Sequence, residues 1–292
     1  MQKFKALPYI VLLGFMFGSN MVAARFGLGQ MQPNVFNSLR LVIVMICFIL
    51  IYALSPNRSW PRDRGLWLHA GIWGVVGLAI PMACFISALK YQSSGVNSLL
   101  ITLNTATTVI LAHFFLPDEK INPRKLLGIA IAFAGASLIL LRGETGLADL
   151  TEANWRGYAL VAVGVIGTSV GYVYARRTLQ NNDEFHVVSV RMVTAALALI
   201  PFTGLSVGFD LNAVRWSGLL ALLFSGIVGT FLTFQVEFSI VKRFGASSAS
   251  ESAYVVPVVA ASLGALFLGE QITWTIVIGM AIIFVGIALL TR

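Results

Sequence analysis

Long apolar stretches separated by short polar breaks divide the chain into ten segments, at about 7–26, 34–54, 66–89, 96–116, 124–142, 157–176, 186–206, 216–241, 247–268 and 272–290. Crossing the hydrocarbon core takes about 20 residues of helix, and lipid offers no partner to exposed backbone groups, so these runs predict ten transmembrane helices. The breaks carry turn chemistry at Gln32-Pro33, Ser55-Pro56-Asn57, Pro117-Asp118, Asn122-Pro123 and residues 208–212. The predicted class is an all-α membrane protein.

The ten segments are one unit written twice. Residues 245–270, GASSASESAYVVPVVAASLGALFLGE, reappear in fainter form 151 positions earlier at 94–119, with Glu119 opposite Glu270. The same shift pairs Arg25 with Arg176, Ser38 with Ser189, Arg40 with Arg191, Gly128 with Gly279 and Gly135 with Gly286. Each unit holds five helices, an odd number, so the second must thread the membrane in the opposite sense. Residues 1–142 are thus read as a first repeat, 143–155 as a loop, and 156–292 as a second, inverted repeat, the architecture that lets a central site face either side.

Composition strengthens the membrane reading. With 58% hydrophobic and 11% charged residues and a mean hydropathy of +0.85, the chain is far more apolar than soluble domains, where about a quarter of residues are charged. Its net charge of +8 does not indicate a nucleic-acid partner, because the cations sit in short clusters between apolar runs. One set of alternate loops holds thirteen of them, and the other holds five, Arg25, Lys90, Arg142, Arg156 and Arg215. The positive-inside rule then places both termini in the cytoplasm, with the protein in a bacterial-type inner (plasma) membrane. The N-terminus imitates a signal peptide but aligns with residues 155–176, so it is expected to remain as part of the repeat. Cys47 and Cys84 read as small buried hydrophobes. His69, His113 and His186 share no metal-ligand spacing and no phosphate-binding loop occurs, so no metal and no cofactor are expected.

The five-plus-five duplication, the apolar helix with Pro257 followed by Phe267-Leu268-Gly269-Glu270, and a final helix with Gly279 and Gly286 together resemble the EamA-type branch of the drug/metabolite transporter superfamily. The resemblance covers nearly the whole chain, and its loose motifs are specific for fold and weak for substrate. It implies a secondary transporter, commonly an exporter of amino acids or related metabolites, with a central cavity walled by the first four helices of each half and the fifth lying peripherally. The chain departs from the pattern in its first repeat, where Ala106 stands opposite Pro257 and Asp118-Glu119 replaces the single glutamate. Helix four is therefore expected to be straighter than helix nine.

Polar residues at mid-bilayer depth are costly and usually face a cavity or another helix. Asn104 and Thr108 share a face of helix four and read either as a wall for a polar solute or as contacts between helices. Ser19 and Asn20 on helix one, with Thr168, Ser169 and Tyr172 on helix six, lie at matching depths and are expected to face each other across the pseudo-two-fold axis. Pro257 frees a carbonyl beside the expected cavity, and Tyr254 points along roughly the same face. Phe85 and Phe231, with Phe234, are candidates for an apolar wall.

The intramembrane charges are the sharper signal. Arg191, Glu237 and Glu251 are expected to cluster on one side, Arg191 holding Glu237 and leaving Glu251 as a proton carrier or cation site. The competing reading is a static salt bridge that snorkels to the interface. Arg40 has no such partner, since Ile86 and Leu100 stand opposite the two glutamates, and it would attract an anionic group such as a carboxylate or bond carbonyls together with Asn37.

These features favour a non-enzymatic transporter of small-molecule metabolites, working by alternating access, either facilitative or coupled to protons. Uptake of small organic cations or amines is the alternative if Glu237 and Glu251 both line the cavity without Arg191 pairing. An intramembrane enzyme acting on lipid-linked substrates would need acid, base or metal groups that the glutamate cluster alone does not supply. A purely structural partner-binding protein would need no inverted symmetry. Gly128, Ala132 and Ala136 give small-xxx-small spacing that fits a homodimer or contacts within a monomer.

Overall fold

The computed structural model describes residues 2–55, 58–117, 119–148, 155–244 and 249–291. Pro56, Asn57 and Asp118 of the turns, residues 149–154 of the inter-repeat loop, and residues 245–248 at the head of the repeated stretch lie outside that range. The helices are α1 (Gln2–Gly27), α2 (Pro33–Leu54), α3 (Arg64–Ala88), α4 (Ser94–Phe115), α5 (Pro123–Leu141), α6 (Trp155–Thr178), α7 (Glu184–Ser206), α8 (Trp216–Phe244), α9 (Ser252–Leu268) and α10 (Trp274–Thr291). Among the described residues nine helices are long and apolar enough to cross a membrane, and α9 is a shorter apolar helix of 17 residues.

Local chemistry sets the helix ends. Asp63, Asn122 and Asp183 cap α3, α5 and α7 by accepting first-turn backbone N–H groups, and Pro33 and Pro123 occupy first-turn positions that need no donor. Gly269 closes α9 in the left-handed region at φ 66°, where a side chain would be strained. This last helix starts later than the apolar pattern predicts: Glu251 stands in a turn, and Ser252 Oγ donates back to Ala249 O at 2.7 Å.

Tyr9 packs 5.6 Å from Phe244, and the Tyr254 hydroxyl lies 3.4 Å from Thr291 Oγ1, so the start of α1 and the end of α10 share one face, here the terminal face. On the opposite face, Gln30 Oε1 accepts from the Arg215 N–H at 2.8 Å. The two halves are inverted copies that interlock. Helix α1 packs on α8 and α9, α6 on α3 and α4, α2 on α7, and α5 on α10. The α5/α10 contact is nearly backbone on backbone: a Cβ at Gly128 would stand 2.8 Å from Gly286 O, and one at Gly135 2.9 Å from Gly279 O. The small-residue face of α5 is thus used within the chain.

Leu141, Leu205, Leu266 and Phe267 point outward, as lipid-facing side chains do. Trp155, Trp216 and Trp274, the first residues of α6, α8 and α10, are all exposed on the opposite face and form an interfacial aromatic belt. The chain is a multi-pass membrane protein.

The expected contrast between helices four and nine is reversed. Helix α9 runs unbroken through Pro257, whereas α4 breaks at Thr102 and Leu103. The cause is hydroxyl competition: Thr102 Oγ1 donates to Leu99 O at 2.6 Å, and the N–H groups of Thr102 and Leu103 reach only three residues back, tightening the turn. A proline removes one bond, which α9 tolerates. Helices α3 and α8 each carry a π-helical turn, Val75–Ala79 and Ile227–Leu232, starting one residue after Gly74 and Gly226. These matched turns put α3 and α8 in register at a shift of 152 instead of 151.

Candidate functional site

A cavity of about 310 Å³ opens toward the terminal face between α3, α6, α7 and α8, lined by Trp73, Tyr172, Arg191, Phe234, Glu237 and Phe238 among others. Its volume falls at the lower end of small-molecule sites, about 300 to 1,000 Å³. Arg191 stands two turns into α7, whose start is fixed by the Asp183 cap, and is 5% exposed. Its guanidinium carbon lies 4.1 Å from the Trp73 ring centroid and 5.2 Å from that of Phe234, so the charge is held between two π faces. A Cβ at Gly74 would stand 2.5 Å from Arg191 O, so glycine lets α3 approach α7 closely enough to bring the neighbouring Trp73 under the guanidinium.

Arg191 Nε is buried without a hydrogen-bond partner. Glu237 lines the same cavity, yet no ion pair within 4.0 Å joins the two. The expected Arg191 to Glu237 bridge is therefore not formed, because the aromatic rings engage the cation. Glu251 sits in the turn before α9 and does not line the cavity, so the expected three-residue cluster reduces to two. What remains is a buried cation without a direct ion pair and two carboxylates, Glu237 and the exposed Glu184, around one aromatic-walled hollow.

Of the other sequence candidates, Tyr172 reaches the cavity, its ring edge-on to Trp73 at 5.9 Å. The other midplane polar groups bond between helices or within their own. Asn20 Oδ1 accepts from Ser225 Oγ at 2.5 Å, Asn104 Oδ1 accepts from Ser169 Oγ at 2.6 Å, and Thr108 Oγ1 reaches Asn104 at 3.4 Å. Ser19 and Thr168 bond to carbonyls of their own helices, Met16 O and Gly164 O. The polar residues of α1 and α6 thus do not bond to one another: Asn20 and Ser169 each join a helix of the other half, and Ser19 and Thr168 bond within their own helices. Phe85 covers Gly164 in the apolar core, Phe231 stacks edge-on to Phe48 at 5.1 Å, and Tyr254 packs against Phe284 at 5.3 Å. Pro257 is buried within α9. Arg40 is 2% exposed and donates to Asn37 Oδ1 at 2.6 Å and toward Met82 Sδ at 3.0 Å.

Trp73 and Phe238 escape sequence reasoning because nothing in an apolar run separates a cavity aromatic from a lipid-facing one. A second device was half visible. Glu270 accepts from Ser94 N–H at 2.9 and 3.0 Å and from Ser94 Oγ at 2.9 Å, and lies 4.0 Å from Arg25, which donates to Leu89 O. This knot ties α1, α3, α4 and α9 together on the opposite face. Its counterpart by the 151-residue shift, Arg176 with Glu119, pairs on the terminal face. Burial pushes the Glu270 carboxyl above the usual range, an effect offset in part by the Ser94 donors and by Arg25. Among the described residues no group of three or more His, Cys, Asp or Glu side chains is placed to hold a metal.

The chain matches the EamA-like transporter family over residues 4–141 and again over residues 155–292. It is 28% identical to an uncharacterized transporter of Archaeoglobus fulgidus, across 94% of each chain. It is 24% identical to a probable amino-acid metabolite efflux pump of Salmonella typhimurium, across 95% of this chain and 91% of that protein. A crystal structure at 22% identity shares the fold with a TM-score of 0.65, over 99% of this chain and 96% of the other. With both halves matched and the inverted fold in place, the chain belongs to the EamA-like transporter family of membrane transporters.

Proposed function

We propose that this transporter moves small metabolites carrying a carboxylate, amino acids or related compounds, out of the cell by alternating access, with the terminal face toward the cytoplasm. The observation that carries the reading is Arg191: a buried cation with an unpartnered Nε, held between Trp73 and Phe234 in the lining of a cavity, calls for an anionic guest. Glu237 in the same hollow suits the ammonium of an amino acid or a coupled proton. The excess of loop cations on the terminal side supports the orientation, and the name of the Salmonella relative supports the outward direction.

Uptake of an organic cation finds less support, since it calls for both Glu237 and Glu251 in the cavity and only Glu237 lines it. The test is transport into sealed vesicles from a panel of amino acids, simple carboxylates and amines, with and without a pH gradient. Carboxylate-bearing solutes should be moved and amines without a carboxylate should not. Transport of amines alone would reject the reading.

A further inference from the structure

Arg40 and Arg191 are the same residue of the repeat. Each stands seven positions past the first residue of its helix, Pro33 of α2 and Glu184 of α7. Both are buried, at 2% and 5% exposure, and both have an Nε with no hydrogen-bond partner. The correspondence extends to their neighbours. At the register of α3 against α8, Met82 is the counterpart of Phe234, and Met82 lies against Arg40 as Phe234 lies over Arg191.

The environments differ in access. Arg191 lines the cavity, whereas Arg40 is 2% exposed and stands one helical turn after Phe36, which packs in one buried cluster with Ile86 and Leu89, all under 3% exposed. Leu89 is in turn held by Arg25 in the knot with Glu270 and Ser94. Asn37, beside Arg40, also has a buried Nδ2 without a partner. Two buried donors, Arg40 Nε and Asn37 Nδ2, on side chains already joined by a hydrogen bond, lack an acceptor, and a planar carboxylate with two oxygens suits such a pair. An unpaired intramembrane charge is too costly to keep for packing alone.

We propose that Arg40 and Asn37 form a second carboxylate site, the two-fold counterpart of the Arg191 site, closed in this conformation and opened from the opposite face when the Arg25, Glu270 and Ser94 knot parts. The inference rests on the alternating-access reading and deepens it: the transported carboxylate leaves one arginine and meets its repeat-related twin. Ile86 and Leu89 form the plug over this second site, and Met82 forms its wall.

Cysteine accessibility tests the site without requiring transport. In a C47A/C84A background, Met82→Cys is exposed to a membrane-impermeant thiol reagent added to one face at a time, with Ile86→Cys as a second reporter on the same sealed path. The expected result is modification from the face opposite the termini only. The rate should rise at least about fivefold when Glu270→Gln loosens the knot, and should be slowed by isovalerate but not by isopentylamine of the same skeleton or by chloride. Absence of modification of both cysteines even in the Glu270→Gln background would overturn the proposal, as would modification from the terminal face. Equal protection by the amine or by chloride would overturn the carboxylate assignment. Transport of carboxylates that persists while both cysteines stay inert would sink the second site and leave the proposed function standing. Carboxylate-protected labelling without any transport would do the reverse.

Discussion

Glu270 accepts three hydrogen bonds from Ser94, all between 2.9 and 3.0 Å, and so fastens the end of α9 to the start of α4 across the two halves. Its side chain is 3% exposed and that of its ion partner Arg25 is 25% exposed, while the repeat-related pair Glu119 and Arg176 is 25% and 52% exposed. One position of the repeat therefore serves as a buried clamp on one face and as a solvated ion pair on the other.

The difference in burial predicts unequal costs. Removing the carboxylate in Glu270→Ala strands the Ser94 N–H and the Arg25 charge, and should destabilise by about 1 to 3 kcal/mol. Removing the more exposed carboxylate in Glu119→Ala should cost no more than about 1 kcal/mol, because water takes its place beside Arg176. Thermal unfolding in detergent of the two single variants checks the order; an equal or inverted order would contradict it.

The clamp also predicts a pH dependence with a definite sign. Burial raises the folded pKa of Glu270 above its unfolded value, about 4.3 for a free glutamate. The folded state then holds the extra proton between the two values, so this contribution is fully present below the unfolded pKa and is lost as pH rises through the folded one. The stability of the natural protein relative to Glu270→Gln should accordingly decline on going from mildly acidic to neutral pH. A difference that grows over that range would contradict the account.

At the cavity, Arg191→Gln removes the only buried cation lining it among the described residues. The apparent affinity for a transported carboxylate should fall more than about tenfold, in line with a charge-assisted hydrogen bond of about 1.5 to 3 kcal/mol. Trp73→Ala should weaken affinity less, by about twofold to fivefold, because a cation–π interaction of about 0.5 to 1 kcal/mol is lost while the charge itself remains. Concentration series in vesicles separate the two, and an unaltered KM in Arg191→Gln would remove this arginine from the site.

Much of this arrangement is legible in the sequence because membrane physics writes it there. Ten apolar runs, the 151-residue shift and the odd number of helices per unit suffice for the inverted fold. Arg191 and Glu237 stand out because intramembrane charge is rare. Side-chain direction is harder to read. Asn20, Asn104 and Ser169 have the polarity of cavity residues and are consumed by hydrogen bonds between helices. Pro257 advertises a break that falls instead at Thr102, where the competing bonds are local and no residue type announces them. Trp73 reaches Arg191 only because Gly74 admits a close approach of two helices distant in sequence.

The α5/α10 interface predicts sensitivity to bulk. Gly128→Leu or Gly286→Leu would push side-chain carbons into the facing backbone, a strain of about 1 to 3 kcal/mol or more. Either variant should lower the unfolding midpoint without changing apparent substrate affinity, since this pair lies apart from the cavity-lining helices. A change in KM with stability intact would contradict the peripheral role of α5 and α10.

The central claim is that the two faces open in opposition, and paired distance measurements test it most directly. Spin labels at Gly29→Cys and Lys90→Cys report the face opposite the termini, and labels at the repeat-related Gln180→Cys and Lys242→Cys report the terminal face. In the Glu270→Gln background the first pair should gain a longer distance and the second a shorter one. Lengthening of both, or movement of the first while the second stays fixed, would contradict alternating access by these two inverted halves.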